Sequence, residues 1–104
     1  MNKEQKAILN KAIVHYGAML QCVVAIEEMA ELQKEISKGL RNRPDTIHMA
    51  EEIADVLIMI EQLKLIWAIT DTEVKEWIDK KLLRTEVRIN EMLQANNANT
   101  AKKV

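Results

Sequence analysis

Apolar residues recur every three or four positions along most of the chain, a pattern typical of amphipathic α-helices. The first such segment covers residues 3–16, KEQKAILNKAIVHY, and Gly17 is expected to bend or end it. A second segment covers residues 18–38, and Gly39 just beyond it fits the left-handed residue that often follows a helix. The first 39 residues therefore predict two helices.

A third helix is predicted after the loop GLRNRPD. Asp45 or Thr46 can cap its first turn, because short polar side chains accept hydrogen bonds from the free N–H groups there. The apolar pattern then continues through residues 48–69. Between Ile53 and Ile60 this helix is apolar around most of its circumference, which a small bundle does not readily cover.

Thr70 and Glu73 stand at the spacing of a capping box and predict a fourth helix from about Asp71 to Leu93. Residues 94–104, QANNANTAKKV, are polar and have no apolar period, so they are expected to form a disordered tail. Four helices with short connections predict an all-α fold, an antiparallel four-helix bundle forming a single domain over residues 1–93. The apolar third helix predicts assembly into a homodimer or a dimer of dimers.

Composition agrees with a helical protein and narrows its partners. The chain has 104 residues, of which 48% are hydrophobic, and contains 2 Gly and 1 Pro. The 15 basic and 16 acidic residues lack the basic excess of a nucleic-acid-binding protein. The single cysteine, Cys22, has no intrachain partner, and the N-terminus lacks a signal-peptide core. We therefore expect a cytoplasmic protein with no membrane partner.

Two pairs of acidic residues interrupt the apolar pattern. Glu28 and Glu31 lie three residues apart on the second helix, and Glu52 and Asp55 have the same spacing on the third. Residues three apart share a helix face, and these two faces also hold apolar residues, so both pairs should turn inward. Four inward carboxylates would repel one another without a cation. Mg²⁺, or Mn²⁺, is the natural partner for such oxygen ligands.

The sequence EEMAELQKEISK, followed after a spacer by EEIADVLIMIEQL, resembles the E-x-x-E, E-x-x-D signature of the MazG-like all-α nucleoside triphosphate pyrophosphohydrolases, relatives of dimeric dUTPases and dCTP pyrophosphatases. The resemblance covers roughly residues 15–93. It implies that the two acidic pairs bind Mg²⁺. It also implies cleavage of a nucleoside triphosphate between the α and β phosphates, giving the monophosphate and pyrophosphate.

Other polar residues are candidates for supporting roles in such an enzyme. Glu27 and Glu51 precede the two pairs and are interpreted as groups that support the ligands or as a base for the attacking water. The candidate substrate-binding residues are basic, apart from one glutamine two turns before Glu28: Lys34, Lys38, Lys81, Arg84, Arg88 and Gln21. The stripe on the fourth helix fits a solvated face equally well.

The remaining aromatic and histidine residues give weaker signals. Trp67 and Trp77 can stack on a base, although tryptophan at helical spacing is more typical of a core or a subunit interface. His15 is expected in an interhelix contact, and His48 in a first turn facing either the acidic site or solvent. The base and sugar of the nucleotide stay open.

Two other classes of helical protein are alternatives to the enzyme. Di-iron bundles need a Glu-x-x-His motif on two helices, and this chain has none. A non-catalytic helical oligomerisation or regulatory module, binding basic partners through its acidic pairs, is the more serious alternative. That alternative predicts solvated carboxylates and no dependence on metal.

Overall fold

The computed structural model describes residues 1–102 and is helical nearly throughout. Within that range it contains four α-helices and no strand, which confirms the all-α prediction. The helices are α1 (Lys3–Tyr16), α2 (Ala18–Arg41), α3 (Thr46–Ile66) and α4 (Asp71–Lys102). They belong to two compact units, Met1–Ile69 and a second unit that begins at Thr70.

In the first unit α2 and α3 pack together most extensively, and α1 packs on both. The interior of this unit is unusually polar. Its buried residues comprise three apolar side chains and four polar ones. The apolar residues are Leu9, Ala25 and Met59, and the polar residues are Gln21, Glu35, Glu52 and Gln62. Because buried polar groups cost free energy unless they are paired, the interface between α2 and α3 calls for an explanation beyond packing.

Gly17 bends the chain between α1 and α2, as predicted. Its φ angle of 92° lies in the region that favours glycine. The chain bends by 112° between the axes of the two helices. The start of α1 is fixed by a capping box between Asn2 and Gln5. No single helix among the described residues is long and apolar enough to cross a bilayer; α1 and α2 meet that test only together, across the bend.

The predicted end of α2 at Gly39 is wrong. Gly39 lies inside α2, which ends at Arg41, and its φ angle is not positive. The N–H of Asn42 donates to the carbonyl of Lys38 and closes the last turn. A single glycine near a helix end weakens the helix by less than the hydrogen bonds of the last turn contribute, so the helix continues through it.

Of the two residues predicted as caps of α3, Asp45 is the one that caps it: its Oδ1 accepts a hydrogen bond of 3.1 Å from the backbone N–H of His48. The helix ends at Ile66, before the predicted end at Ile69. Ala68 adopts a φ angle of 51°, and the N–H of Ile69 donates back to the carbonyl of Lys64. This is the left-handed helix ending expected of glycine, formed here by an alanine.

Thr70 and Glu73 form the predicted capping box at the start of α4. The helix continues beyond the predicted end at Leu93 as far as Lys102, so the polar tail is helical up to that residue. Alanine and glutamine favour a helix there, and neither glycine nor proline interrupts it. Residues 103–104 of the predicted tail lie outside the described residues.

Candidate metal site

Three of the four predicted ligands meet between α2 and α3. One carboxylate oxygen from each of Glu28, Glu52 and Asp55 lies within 4.8 Å of the other two. Glu52 is buried, with 9% of its surface exposed, whereas the other two are half-buried. The pairing of Glu28 on α2 with Asp55 on α3 places the helices side by side in the way that the sequence predicted. Oxygens at this spacing can bind one cation together.

The electrostatics of the cluster are unfavourable without a cation. Burial raises the pKa of Glu28, and repulsion from Asp55, Glu52 and Glu31 raises it further. A hydrogen bond with Asp55 has the same effect, because it favours the protonated form of Glu28. The folded chain therefore holds a group of carboxylates that it can ionise together only at a cost in free energy.

The two oxygens of the Glu52 carboxylate differ: one contacts a histidine, and the other has no hydrogen-bond partner. Oε1 lies 3.1 Å from Nε2 of His48, whereas Oε2 is buried and has no hydrogen-bond partner. A buried carboxylate oxygen without a partner normally costs free energy, and a bound divalent cation would satisfy it. The donor set fits Mg²⁺ or Mn²⁺, because all its members are carboxylate oxygens.

Glu31, the fourth predicted ligand, does not join these three residues. It is exposed, although it is close enough to Glu28 to raise its pKa. Three residues correspond to roughly 300° around a helix, so Glu31 is turned about 60° from Glu28. That turn takes it away from Ala25 and Gln21, which mark the buried face of α2. The prediction that Glu31 points inward is therefore wrong, and its role as a ligand stays a prediction.

Glu35 also belongs to this site, although its sequence position did not predict it. This residue is buried, with 5% of its surface exposed, and its Oε2 lies 3.0 Å from Nδ1 of His48 and 3.8 Å from Nζ of Lys38. His48 thus faces the acidic site, one of the two positions expected for it. The imidazole ring therefore lies between Glu35 and Glu52, with one ring nitrogen facing each carboxylate.

A seven-residue spacing could have revealed Glu35. It follows Glu28 by seven residues, and His48 precedes Asp55 by seven, so each pair shares a helix face across two turns. In the antiparallel helices Glu28 meets Asp55 and Glu35 meets His48. A further step of seven residues, from Glu28 back to Gln21 and from Asp55 on to Gln62, reaches two more buried polar residues.

The residues predicted to support the reaction or the substrate lie in several places. Glu27 and Glu51 are exposed, as are Lys34 and Lys38 on α2. Of these four residues, Lys38 lines a polar cavity of about 140 Å³, together with Arg43 and His48 among others. The basic residues on α4, namely Lys81, Arg84 and Arg88, are exposed within the second unit. Gln21 is buried. The supporting roles of these residues stay predictions.

Neither tryptophan is buried. Trp67 and Trp77 are exposed, and Nζ of Lys80 lies 5.1 Å from the centre of the Trp77 ring. His15 is also exposed and packs edge-on against the ring of its neighbour Tyr16. Cys22 is half-buried.

No protein-family model, curated protein or solved structure matches the chain.

Proposed function

We propose that this protein is an Mg²⁺-dependent nucleoside triphosphate pyrophosphohydrolase, a hydrolase of nucleotide metabolism that acts on phosphoric anhydride bonds. The observation that carries the proposal is the cluster of Glu28, Glu52 and Asp55, with its buried and unpartnered Oε2. A solvated acidic face would not bury such an oxygen. The resemblance of the acidic pairs to the MazG-like signature supports the choice of substrate.

Each acidic residue has a distinct proposed role. Glu28, Glu52 and Asp55 would hold the cation, and Glu31 would complete the set from the edge of α2. When bound, Mg²⁺ offsets negative charge on the phosphates and lowers the pKa of a bound water. Glu27 or Glu51 would accept the proton that the attacking water loses as the bond between the α and β phosphates breaks. The products are the nucleoside monophosphate and pyrophosphate.

Basic residues would hold the triphosphate. Lys34 and Lys38 lie one and two turns beyond Glu31 on α2, and Lys38 lines the polar cavity next to His48. Lys81, Arg84 and Arg88 form a stripe on α4 by helical spacing. Gln21, two turns before Glu28, would contact the nucleotide. For the assembly we propose an antiparallel four-helix bundle that forms a cytoplasmic homodimer or homotetramer.

A non-catalytic oligomerisation or regulatory module is the second candidate. Large apolar side chains are exposed along α4, as expected for a helix that binds a partner. The residues concerned are Ile78, Leu82, Leu83, Val87, Ile89, Met92 and Leu93. This candidate predicts no nucleotide turnover and no response to divalent cations.

The two candidates are separated by an assay for pyrophosphate and monophosphate, using canonical and modified nucleoside triphosphates with Mg²⁺. We expect turnover of at least one nucleotide. Glu52→Gln and Asp55→Asn should each reduce the rate at least about 100-fold, because each removes a charged ligand, while circular dichroism stays helical. Glu76→Gln changes an exposed glutamate on α4 and should leave the rate unchanged. If no nucleotide is turned over and no divalent cation binds, the enzyme proposal is wrong.

A further inference from the structure

His48 connects two buried carboxylates on different helices. Its Nδ1 lies 3.0 Å from Oε2 of Glu35 on α2, and its Nε2 lies 3.1 Å from Oε1 of Glu52, one turn along α3. Both distances are within hydrogen-bonding range, so one ring nitrogen faces each carboxylate. Glu35 and Glu52 are both buried, whereas the ring itself is partly open to solvent.

These two contacts fix the orientation of Glu52. The imidazole ring is planar and rigid, and its contact with Glu35 determines the direction in which Nε2 points. Oε1 of Glu52 is then held by that nitrogen, which leaves Oε2 as the unengaged oxygen. Residues that orient a ligand through its second polar atom commonly raise metal affinity, because the ligand loses less freedom on binding.

We propose that His48, held in place by Glu35, is a positioning residue that orients the Glu52 carboxylate for a divalent cation. This inference rests on the proposed function, since it assumes that Glu52 is a cation ligand. It extends the site along α2 to Glu35, outside both acidic pairs. His48 acts through Glu52 and does not itself hold the cation.

A purely structural role for His48 would have a different signature. The ring also joins α2 to α3, so its loss could lower thermal stability without any effect on the geometry of Glu52. Two amide substitutions separate these roles. The side-chain nitrogen of glutamine extends about as far as Nε2 and can donate to Glu52 four residues away. The side-chain nitrogen of asparagine takes the place of Nδ1, so it can donate to Glu35 but does not reach Glu52.

The test uses the full chain and Mn²⁺ alone, with affinity measured by isothermal titration calorimetry and by the electron paramagnetic resonance of free Mn²⁺. We expect His48→Ala and His48→Asn to weaken Mn²⁺ binding by about 10- to 100-fold. His48→Gln should restore affinity to within about threefold of the unaltered chain, because it keeps the donor to Glu52. His15→Ala, which alters the other histidine, should change nothing.

Thermal unfolding and circular dichroism accompany each titration. If His48→Ala does not fold, the test rests on the Mn²⁺ affinities of His48→Gln and His48→Asn. Equal Mn²⁺ affinities for those two variants, or an affinity for His48→Ala within about threefold of the unaltered chain, would overturn the positioning role. Absence of Mn²⁺ binding by the unaltered chain would instead overturn the proposed function, and the inference with it.

Discussion

At the scale of single residues, the main feature is a charge that the apolar pattern does not explain. Asp55 lies within the run IADVLIMI, yet it is half-buried opposite Glu28 rather than solvated. The same cluster contains a buried oxygen of Glu52 with no partner. Native structures leave few such atoms unpaired, and an ion that binds there is one explanation for such an exception. The pKa of Glu28 gives a way to measure the free-energy cost of bringing these carboxylates together.

The raised pKa of Glu28 has a definite consequence for stability. In the unfolded chain its carboxyl should titrate near the ordinary value of 4.5, whereas in the folded protein burial and neighbouring carboxylates hold the proton to higher pH. Between the unfolded-state and the folded-state pKa of Glu28, the folded protein therefore binds more protons than the unfolded chain does. The stabilisation is complete below the unfolded pKa and is lost as pH rises through the folded pKa.

Glu28→Gln should accordingly make the metal-free protein more stable near neutral pH, because the amide carries no charge to repel Asp55 and Glu52. Thermal unfolding in the presence of a chelator, measured from pH 4 to pH 8, should show the unaltered chain losing stability relative to the variant as pH rises. The two curves should approach each other at the acidic end. Glu76→Gln, at an exposed site, should follow the unaltered chain throughout.

Addition of Mg²⁺ should reverse that order. The cation should raise the unfolding temperature of the unaltered chain, since a ligand that binds only the folded state stabilises it, and should affect Glu28→Gln much less. A variant that is less stable than the unaltered chain at every pH would show that Glu28 stabilises the fold instead of straining it.

The sequence predicted part of this site and missed part of it. Glu28, Glu52 and Asp55 were identifiable because charge at a three-residue spacing inside apolar segments is unusual. Glu35 was missed, because it lies in the polar stretch QKEISK and looks there like any surface charge; only its seven-residue spacing from Glu28 sets it on the same helix face. Its burial depends on the register of α2 against α3, and a single helix pattern does not contain that register.

At the scale of helices, the two glycines behave in opposite ways. Gly17 joins α1 to α2 with a φ angle of 92°, whereas Gly39 is helical within α2. A Cβ atom at Gly17 would meet nothing within 4 Å, so its requirement for glycine is purely conformational. A Cβ atom at Gly39 would meet Pro44 Cβ at 3.5 Å, an ordinary contact.

Alanine should therefore have opposite effects at the two positions. Gly17→Ala should lower the free energy of unfolding by about 1–3 kcal/mol, because L-residues rarely adopt a positive φ. Gly39→Ala should raise it by about 0.5–1 kcal/mol, because alanine loses less conformational entropy in a helix. Urea unfolding followed by circular dichroism measures both values. Equal effects of the same sign would contradict the assigned backbone conformations.

Helix beginnings were predicted better than helix ends. Asp45 and the Thr70–Glu73 pair are caps with specific side-chain hydrogen bonds, and these contacts are local in sequence. The ends of α2, α3 and α4 depend on smaller differences in backbone free energy. Ala68 shows this, since it adopts a left-handed conformation for which glycine is the usual residue.

At the scale of the whole molecule, the first unit leaves an apolar stripe on α3 uncovered. Ile53, Leu57 and Ile60 are spaced to share one helix face, and all three are exposed. They flank the buried face that carries Glu52 and Met59. A continuous apolar stripe beside a polar interior is costly in water and typical of a surface that another chain covers.

Leu57→Glu tests whether a second copy covers this stripe. Leu57 is 55% exposed in the single chain, so a charge there should be tolerated by a monomer but should disrupt a dimer in which it is buried. We expect light scattering coupled to gel filtration to give a multiple of 12.0 kDa for the unaltered chain. The variant should shift to the monomer, because a symmetric dimer would bury the introduced charge twice.

Leu40→Glu is the matched control, since Leu40 is 84% exposed on α2 and lies outside the stripe. A single 12.0 kDa species for the unaltered chain at all concentrations would show that the stripe is a free surface of a monomer.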